Sequence, residues 1–130
     1  VVAAIAFIGG QIAVSPIASA SNDPAFSSQW GLDVANINEA QTISTGAGVT
    51  VAVIDSGSGP NPDLSQNLLP GRSIVRGRIG DLSADVDTVG HGTHVAGIIA
   101  GQRDNGIGIS GIAPDTKILP IRILDSRGDG

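Results

Sequence analysis

Cysteine, methionine and tyrosine are absent from these 130 residues, and the aromatic side chains amount to one tryptophan and two phenylalanines. Without cysteine there is no disulfide, no thiolate metal site and no thiol redox chemistry; the compartment stays open, because many exported bacterial proteins also lack cysteine. With so few rings, aromatic stacking contributes little. The core must come from small and branched aliphatics, and nineteen glycines provide tight turns and close backbone approaches. Positive charge is scarce too: seven Lys and Arg stand against twelve Asp and Glu, for a net charge of −5 and a pI near 4.6. No basic face exists to attract phosphates or anionic lipid, so nucleic acid is not an expected partner. What is present is 41% apolar residues and a mean hydropathy of +0.23. At about one domain in length, that is enough to build a core.

The first twenty residues, VVAAIAFIGGQIAVSPIASA, differ from the rest. Val1 to Val14 carry no charge, Pro16 breaks the run, and Ala18-Ser19-Ala20 has the small-x-small form of a cleavage site. This reads as the remnant of a signal peptide, although a start methionine and a positive n-region are missing. A membrane anchor is the competing reading, but it needs roughly 18 to 20 apolar residues. Either reading places residues 21–130 outside the cytoplasm, secreted or on the cell-envelope exterior.

From Ser21 the chain reads as a globular domain. SNDPAFSSQWGLDVANINEAQ predicts a wrapping arm with a short helical segment carrying Ile37 and Ala40. Val49 to Ile54 predicts a strand buried on both faces, because six uncharged residues of high β propensity suit the middle of a parallel sheet. The loop SGPNPDLSQNLLPGR allows a helical turn at Leu64 to Leu69, and SIVRG predicts a short second strand. GDLSADVDTVG is acidic and turn-like. HGTHVAGIIAGQ predicts a helix starting near His91, with Val95, Ile98 and Ile99 on one face and Gly97 allowing close packing. RDNGIGISGIAPD is a second Gly-rich loop, and KILPIRIL predicts another strand. Strand, short strand, helix, strand indicates an α/β fold with a mainly parallel sheet.

In open α/β sheets, sites lie outside the carboxyl ends of the strands, where GVTVAVIDSG puts Asp55. Such an aspartate often does no more than cap the following turn, and a single histidine is often structural. Asp55 and His91 together, 36 residues apart, are different evidence.

VAVIDSG around Asp55 and HGTHVAGIIA from His91 resemble the aspartate and histidine boxes of the subtilisin-like serine proteases, in order and in separation. GIAPDTKILPIRIL resembles the segment that follows in that family, and NDPAFSSQWGL the mature start of thermitase-like members; the short span before it resembles secretion-associated actinobacterial members. The resemblance runs from about Asn22 to Gly130 and implies a doubly wound α/β fold, truncated in this chain. It implies further that His91 is the general base and Asp55 the buried carboxylate that fixes its tautomer, the third triad member being a serine. That serine stands in a later Gly-Thr-Ser box, which these residues do not include, so the 130 residues are expected to be inactive alone. The parent protein is expected to be a monomeric serine endopeptidase acting on proteins or peptides. His94 reads as a structural helix histidine, and Ser56 as a hydrogen-bonding neighbour of Asp55.

The resemblance also implies structural calcium near the N-terminus, held by Asp23, Asp63 and the 103–109 loop through Asn105, Ile107 and Ile109; oxygen ligands at irregular spacing suit that ion. Gly128 and Gly130 match the start of the strand that pairs with a substrate backbone. Three other motifs weigh less. GIGISG, Gly106 to Gly111, satisfies G-x-G-x-x-G but follows a helix and precedes a strand, the reverse of a dinucleotide site. Asp55, His91 and His94 around zinc would lack both the glutamate base and the i,i+4 spacing of helical zinc proteases. Arg127-Gly128-Asp129 is an adhesion tripeptide by composition only. From a different functional class, a non-catalytic binding module of the same fold remains the alternative.

Overall fold

The computed structural model describes residues 21–76, 78–80 and 86–130. The signal-peptide reading of residues 1–20 and most of the GDLSA segment lie outside them. A 3₁₀ turn, Phe26–Ser28, leads into two short helices, α1 (Trp30–Val34) and α2 (Ile37–Ala40). Strand β1 (Thr50–Asp55) follows, then a 3₁₀ turn at Pro62–Leu64, β2 (Arg72–Val75), β3 (Arg78–Gly80), the long helix α3 (His91–Ala100) and β4 (Lys117–Arg122).

The sheet order is β1-β4-β2-β3. β4 runs parallel to both β1 and β2, and only β3 is antiparallel, to β2. In register Thr50 faces Lys117 and Asp55 faces Arg122, so the carboxyl ends of β1 and β4 lie side by side. The mainly parallel sheet flanked by helices is the fold class expected from the sequence. Pro120 sits in the middle of β4, where a proline would cost a ladder bond. Lys117 donates towards β1, at Val49, and Ile118 towards the other side, at Asn67. By alternation the nitrogen of residue 120 faces that second side, in the gap between the Leu68–Ile118 bridge and β2. The proline therefore removes no partner.

α3 packs on the sheet through Ala96 and Ala100. With Val53, Leu64 and Ile118 they form the buried core, and Val51, Leu68, Val95 and Ile99 close around it. Fully burying an aliphatic such as Leu64 or Ile118 contributes about 1.5–3 kcal/mol each. Three expectations change here. β1 is covered on one face only: Val53 is buried, whereas Thr50, Ala52 and Ile54 on the other face are exposed, Ile54 at 62%. On α3, Ile98 turns away from the packed face and is 43% exposed, because alanines at 96 and 100 let the helix approach the sheet and take the central positions. Close approach is enabled at Gly92 and Gly101 rather than at Gly97, where a Cβ would make only an ordinary 3.6 Å contact with Ile109. In addition, the helical turn expected at Leu64 to Leu69 closes earlier, at Pro62–Leu64; the Asn61 side chain accepts from the Asp63 N–H at 2.9 Å and Pro62 begins the turn.

The arm does wrap. The Gln29 side chain pairs with Ser110 like a strand, donating to its carbonyl and accepting from its N–H at 2.9 and 2.8 Å, and Gln41 donates to the Gly111 and Ile112 carbonyls. Arg103 donates to Gln41 and lies 5.1 Å from the Phe26 ring centroid.

Candidate functional site

Asp55 is the last residue of β1 and His91 the first of α3, so the site forms where a strand's carboxyl end meets a helix's amino end. Two glycines make the meeting possible. Gly90 precedes the helix at φ +90°, a left-handed conformation that turns the chain into its first residue. Gly92 is buried, and a Cβ there would fall far inside contact with the Gly57 carbonyl oxygen.

The two side chains touch. His91 Nδ1 lies 2.9 and 2.8 Å from the two Asp55 carboxylate oxygens. The Asp55 side chain is 15% exposed, less enclosed than the buried carboxylate expected, and the His91 ring is 66% exposed. Partial burial pushes the Asp55 carboxyl upward. The Ser56 N–H at 2.7 Å, the His91 ring and the Ser56 hydroxyl pull it down by more, so it lies below the ordinary carboxylate range. An ionised Asp55 only accepts, which places the imidazole proton on Nδ1 and leaves a lone pair on Nε2 at the exposed side. The arrangement can therefore remove a proton from a group approaching His91 from solvent. Ser56 is buried; its N–H donates to Asp55, as a hydrogen-bonding neighbour would, and its hydroxyl accepts from the Gly92 N–H at 2.9 Å. His94 is exposed on α3, beside Trp30, Ile98 and Ile112.

One carboxylate near this site went unnoticed in the sequence. Asp87, four residues before His91, accepts from the N–H groups of Val89, Gly90 and Thr93 and from the Thr93 hydroxyl. A D-x-x-G run before a helix box is a capping signal, and the rest of the acidic loop hid it. Asn67 was also missed; it is buried and bridges the Ala100 and Pro114 carbonyls at 2.8 and 2.6 Å.

Of the five positions expected to hold calcium, Asn105, Ile107 and Ile109 lie on the 103–109 loop, and Asp23 and Asp63 each hydrogen-bond to it. Asp23 is buried, and its carboxylate receives the N–H groups of Asp104, Asn105 and Gly106 at 3.0, 3.0 and 3.1 Å and the Ser21 hydroxyl at 2.7 Å. Burial pushes its carboxyl up; the Ser21 hydroxyl and those amides outweigh it and hold it below the ordinary range. Asp63 is buried and receives Asn105 Nδ2 at 2.8 Å and the Ile109 N–H at 2.9 Å, one on each oxygen. Asn105 Oδ1 accepts from the Ile107 N–H. Among the described residues no group of three or more His, Asp or Glu side chains comes together, so amide and main-chain oxygens would have to complete any cation's shell. Asp63 keeps acceptor capacity on both oxygens, and the all-oxygen donors fit a hard cation. Gly128 and Gly130 lie beyond β4 in a turn, not a strand: Asp125 accepts from the Arg127 and Asp129 N–H groups, and the Gly128 N–H donates to the Asp125 carbonyl.

Residues 46–130 match the model of the subtilase family. Over 103 residues the chain is 44% identical to the minor extracellular protease Epr of Bacillus subtilis, covering 78% of this chain and 15% of Epr. Over 111 residues it is 40% identical to thermitase of Thermoactinomyces vulgaris, covering 84% of this chain and 38% of thermitase. Among solved structures it resembles a protease of Pseudoalteromonas arctica, with a TM-score of 0.77 and 33% identity over 86% of this chain and 41% of that one. The chain thus spans well under half the length of these relatives. The matched segment includes both the strand that ends in Asp55 and the helix that begins with His91, and the chain belongs to the subtilase family.

Proposed function

We propose that the protein carrying these residues is a serine endopeptidase in which His91 is the general base and Asp55 its orienting carboxylate. The observation that carries this is the Nδ1 contact of His91 with both Asp55 oxygens, in a ring that is 66% exposed. In this reading a serine outside the 130 residues gives its proton to Nε2 as its oxygen attacks the scissile carbonyl. Asp55 stabilises the imidazolium that forms, and His91 then returns the proton to the leaving amine. Asp55 and His91 alone provide base and orientation without a nucleophile, so the 130 residues by themselves are inactive. Substrates are proteins or peptides, and their backbone docks on the segment beyond β4 that carries Gly128 and Gly130. Calcium held by Asp23, Asp63, Asn105 and the main-chain oxygens of Ile107 and Ile109 pins the arm to the loop and takes no part in the chemistry. The name of Epr supports secretion, and among the described residues no helix is long and apolar enough to cross a membrane.

Treating the full-length protein with a serine-directed phosphonyl reagent tests this reading. Expected is stoichiometric labelling of one serine downstream of Gly130, with turnover lost in proportion and zinc chelators without effect. Labelling of no serine, with turnover intact, overturns it.

A further inference from the structure

The residue that caps the start of α3, Gly90, has no side chain to accept the free N–H groups of the first turn. Other side chains take that place from two directions. Asp87 Oδ1 receives the Gly90 N–H at 2.7 Å and the Val89 N–H at 3.1 Å; Oδ2 receives the Thr93 N–H at 2.8 Å and the Thr93 hydroxyl at 2.6 Å. His91 lies in the chain between Gly90 and Thr93, so this one carboxylate grips its surroundings on both sides. The Thr93 hydroxyl that donates to Asp87 also accepts from the Gly59 N–H at 2.9 Å, and the Gly92 N–H reaches Ser56 Oγ at 2.9 Å. Gly59 and Ser56 both belong to the loop that leaves Asp55. The start of the helix and the end of the strand are thereby joined through Asp87, Thr93 and Ser56, independently of the contact between Asp55 and His91 themselves.

We propose that Asp87 is a positioning residue for the Asp55–His91 pair: it holds the first turn of α3 and, through Thr93, fixes that turn against the loop following Asp55. It does not touch the imidazole and exchanges no proton with it. Its effect is on where the ring stands. An orienting pair held loosely loses its productive geometry, and a displacement of about 1 Å in such a site costs about 100-fold in rate.

The proposal rests on the reading of His91 as base, and its test separates the two. In the full-length protein, Asp87→Ala, Asp87→Asn and His91→Ala are compared with the parent for kcat, KM, melting temperature and the low-field proton resonance of the His91 Nδ1–H. For Asp87→Ala, kcat is expected to fall about 10- to 100-fold with KM changed less than about twofold, and the Nδ1–H resonance to shift or broaden. Asp87→Asn, which keeps one acceptor oxygen, is expected to fall between this variant and the parent in both readouts. A lowered melting temperature with kcat and the resonance unchanged would reduce Asp87 to a helix cap and overturn the proposal. Parent-level turnover in His91→Ala would sink the protease reading instead, with the resonance still deciding the role of Asp87. If Asp87→Ala does not fold, Asp87→Asn decides by the same readouts.

Discussion

At the carboxylates of the site, hydrogen bonds outweigh burial. Around Asp87, burial raises the carboxyl's pKa, but the Thr93 hydroxyl, the Gly90 and Thr93 amides and the Ser56 hydroxyl outweigh it and bring it from 3.8 to about 2. A depressed carboxyl stabilises the fold fully above its unfolded value and loses that contribution as pH falls through its folded value. Asp87 is therefore expected to contribute to stability above about pH 4 and to lose its contribution between about pH 4 and about pH 2. Thermal melts over this range should fall more steeply with acid for the parent than for Asp87→Asn; equal slopes would contradict the assignment. Part of the slope persists in the variant, because Asp23, Asp55 and Asp125 are also held low by hydrogen bonds. At this scale Asp55 and His91 were legible from their boxes, and Ser56 from its place beside Asp55. Asp87 was not: one aspartate among several in a loop becomes a cap only when the chain folds back on the helix start, a relation that spacing alone conveys weakly.

At the scale of elements, the site depends on how near α3 comes to the end of β1. Gly92→Ala places a methyl group against the Gly57 carbonyl oxygen, with Asp55 Cβ also only 3.2 Å from that methyl. Backbone on the far side cannot swing away as a side chain can, so helix and strand must part. The expected cost is about 1–3 kcal/mol, read as a lowered denaturation midpoint, together with weakening of the His91 Nδ1–H resonance; a variant as stable as the parent would contradict the packing described. The long elements were readable because their patterns are long. β1, α3 and β4 each gave an uninterrupted apolar run or a helical period, whereas β3, with three residues, and α1, with five, are too short to show one. The double burial expected for β1 failed for a different reason. A continuous apolar run records what a strand tolerates, and which faces are covered depends on what else packs there. In these residues α3 covers the Val53 face, and the Ile54 face stays open.

Over the whole molecule, two carboxylates tie distant segments to the 103–109 loop. Asp23 clasps the amides of residues 104–106, and Asp63 meets the same loop from the 3₁₀ turn at Pro62–Leu64. Segments 42 and 83 residues away in sequence thus converge on one loop. A bound cation there stabilises only the folded chain, by an amount set by its concentration over its Kd. Calcium chelation is therefore expected to lower the melting temperature of the full-length protein by several degrees, and Asp63→Asn to abolish that sensitivity; a melt indifferent to chelator and to added calcium would count against the ion. The α/β class, the order of the elements and the wrapping arm were visible in the sequence. The Gln29 and Gln41 contacts that fasten the arm were not, since a glutamine replacing a strand partner leaves no pattern of its own.

In the proposed serine endopeptidase the Asp55–His91 contact serves proton transfer. That role is tested most directly by kcat/KM for a peptide substrate in the full-length protein and its His91→Ala variant. Expected is a loss of several orders of magnitude, about 10⁴-fold or more, with the fold intact by circular dichroism. A variant that retains the parent's kcat/KM would contradict it.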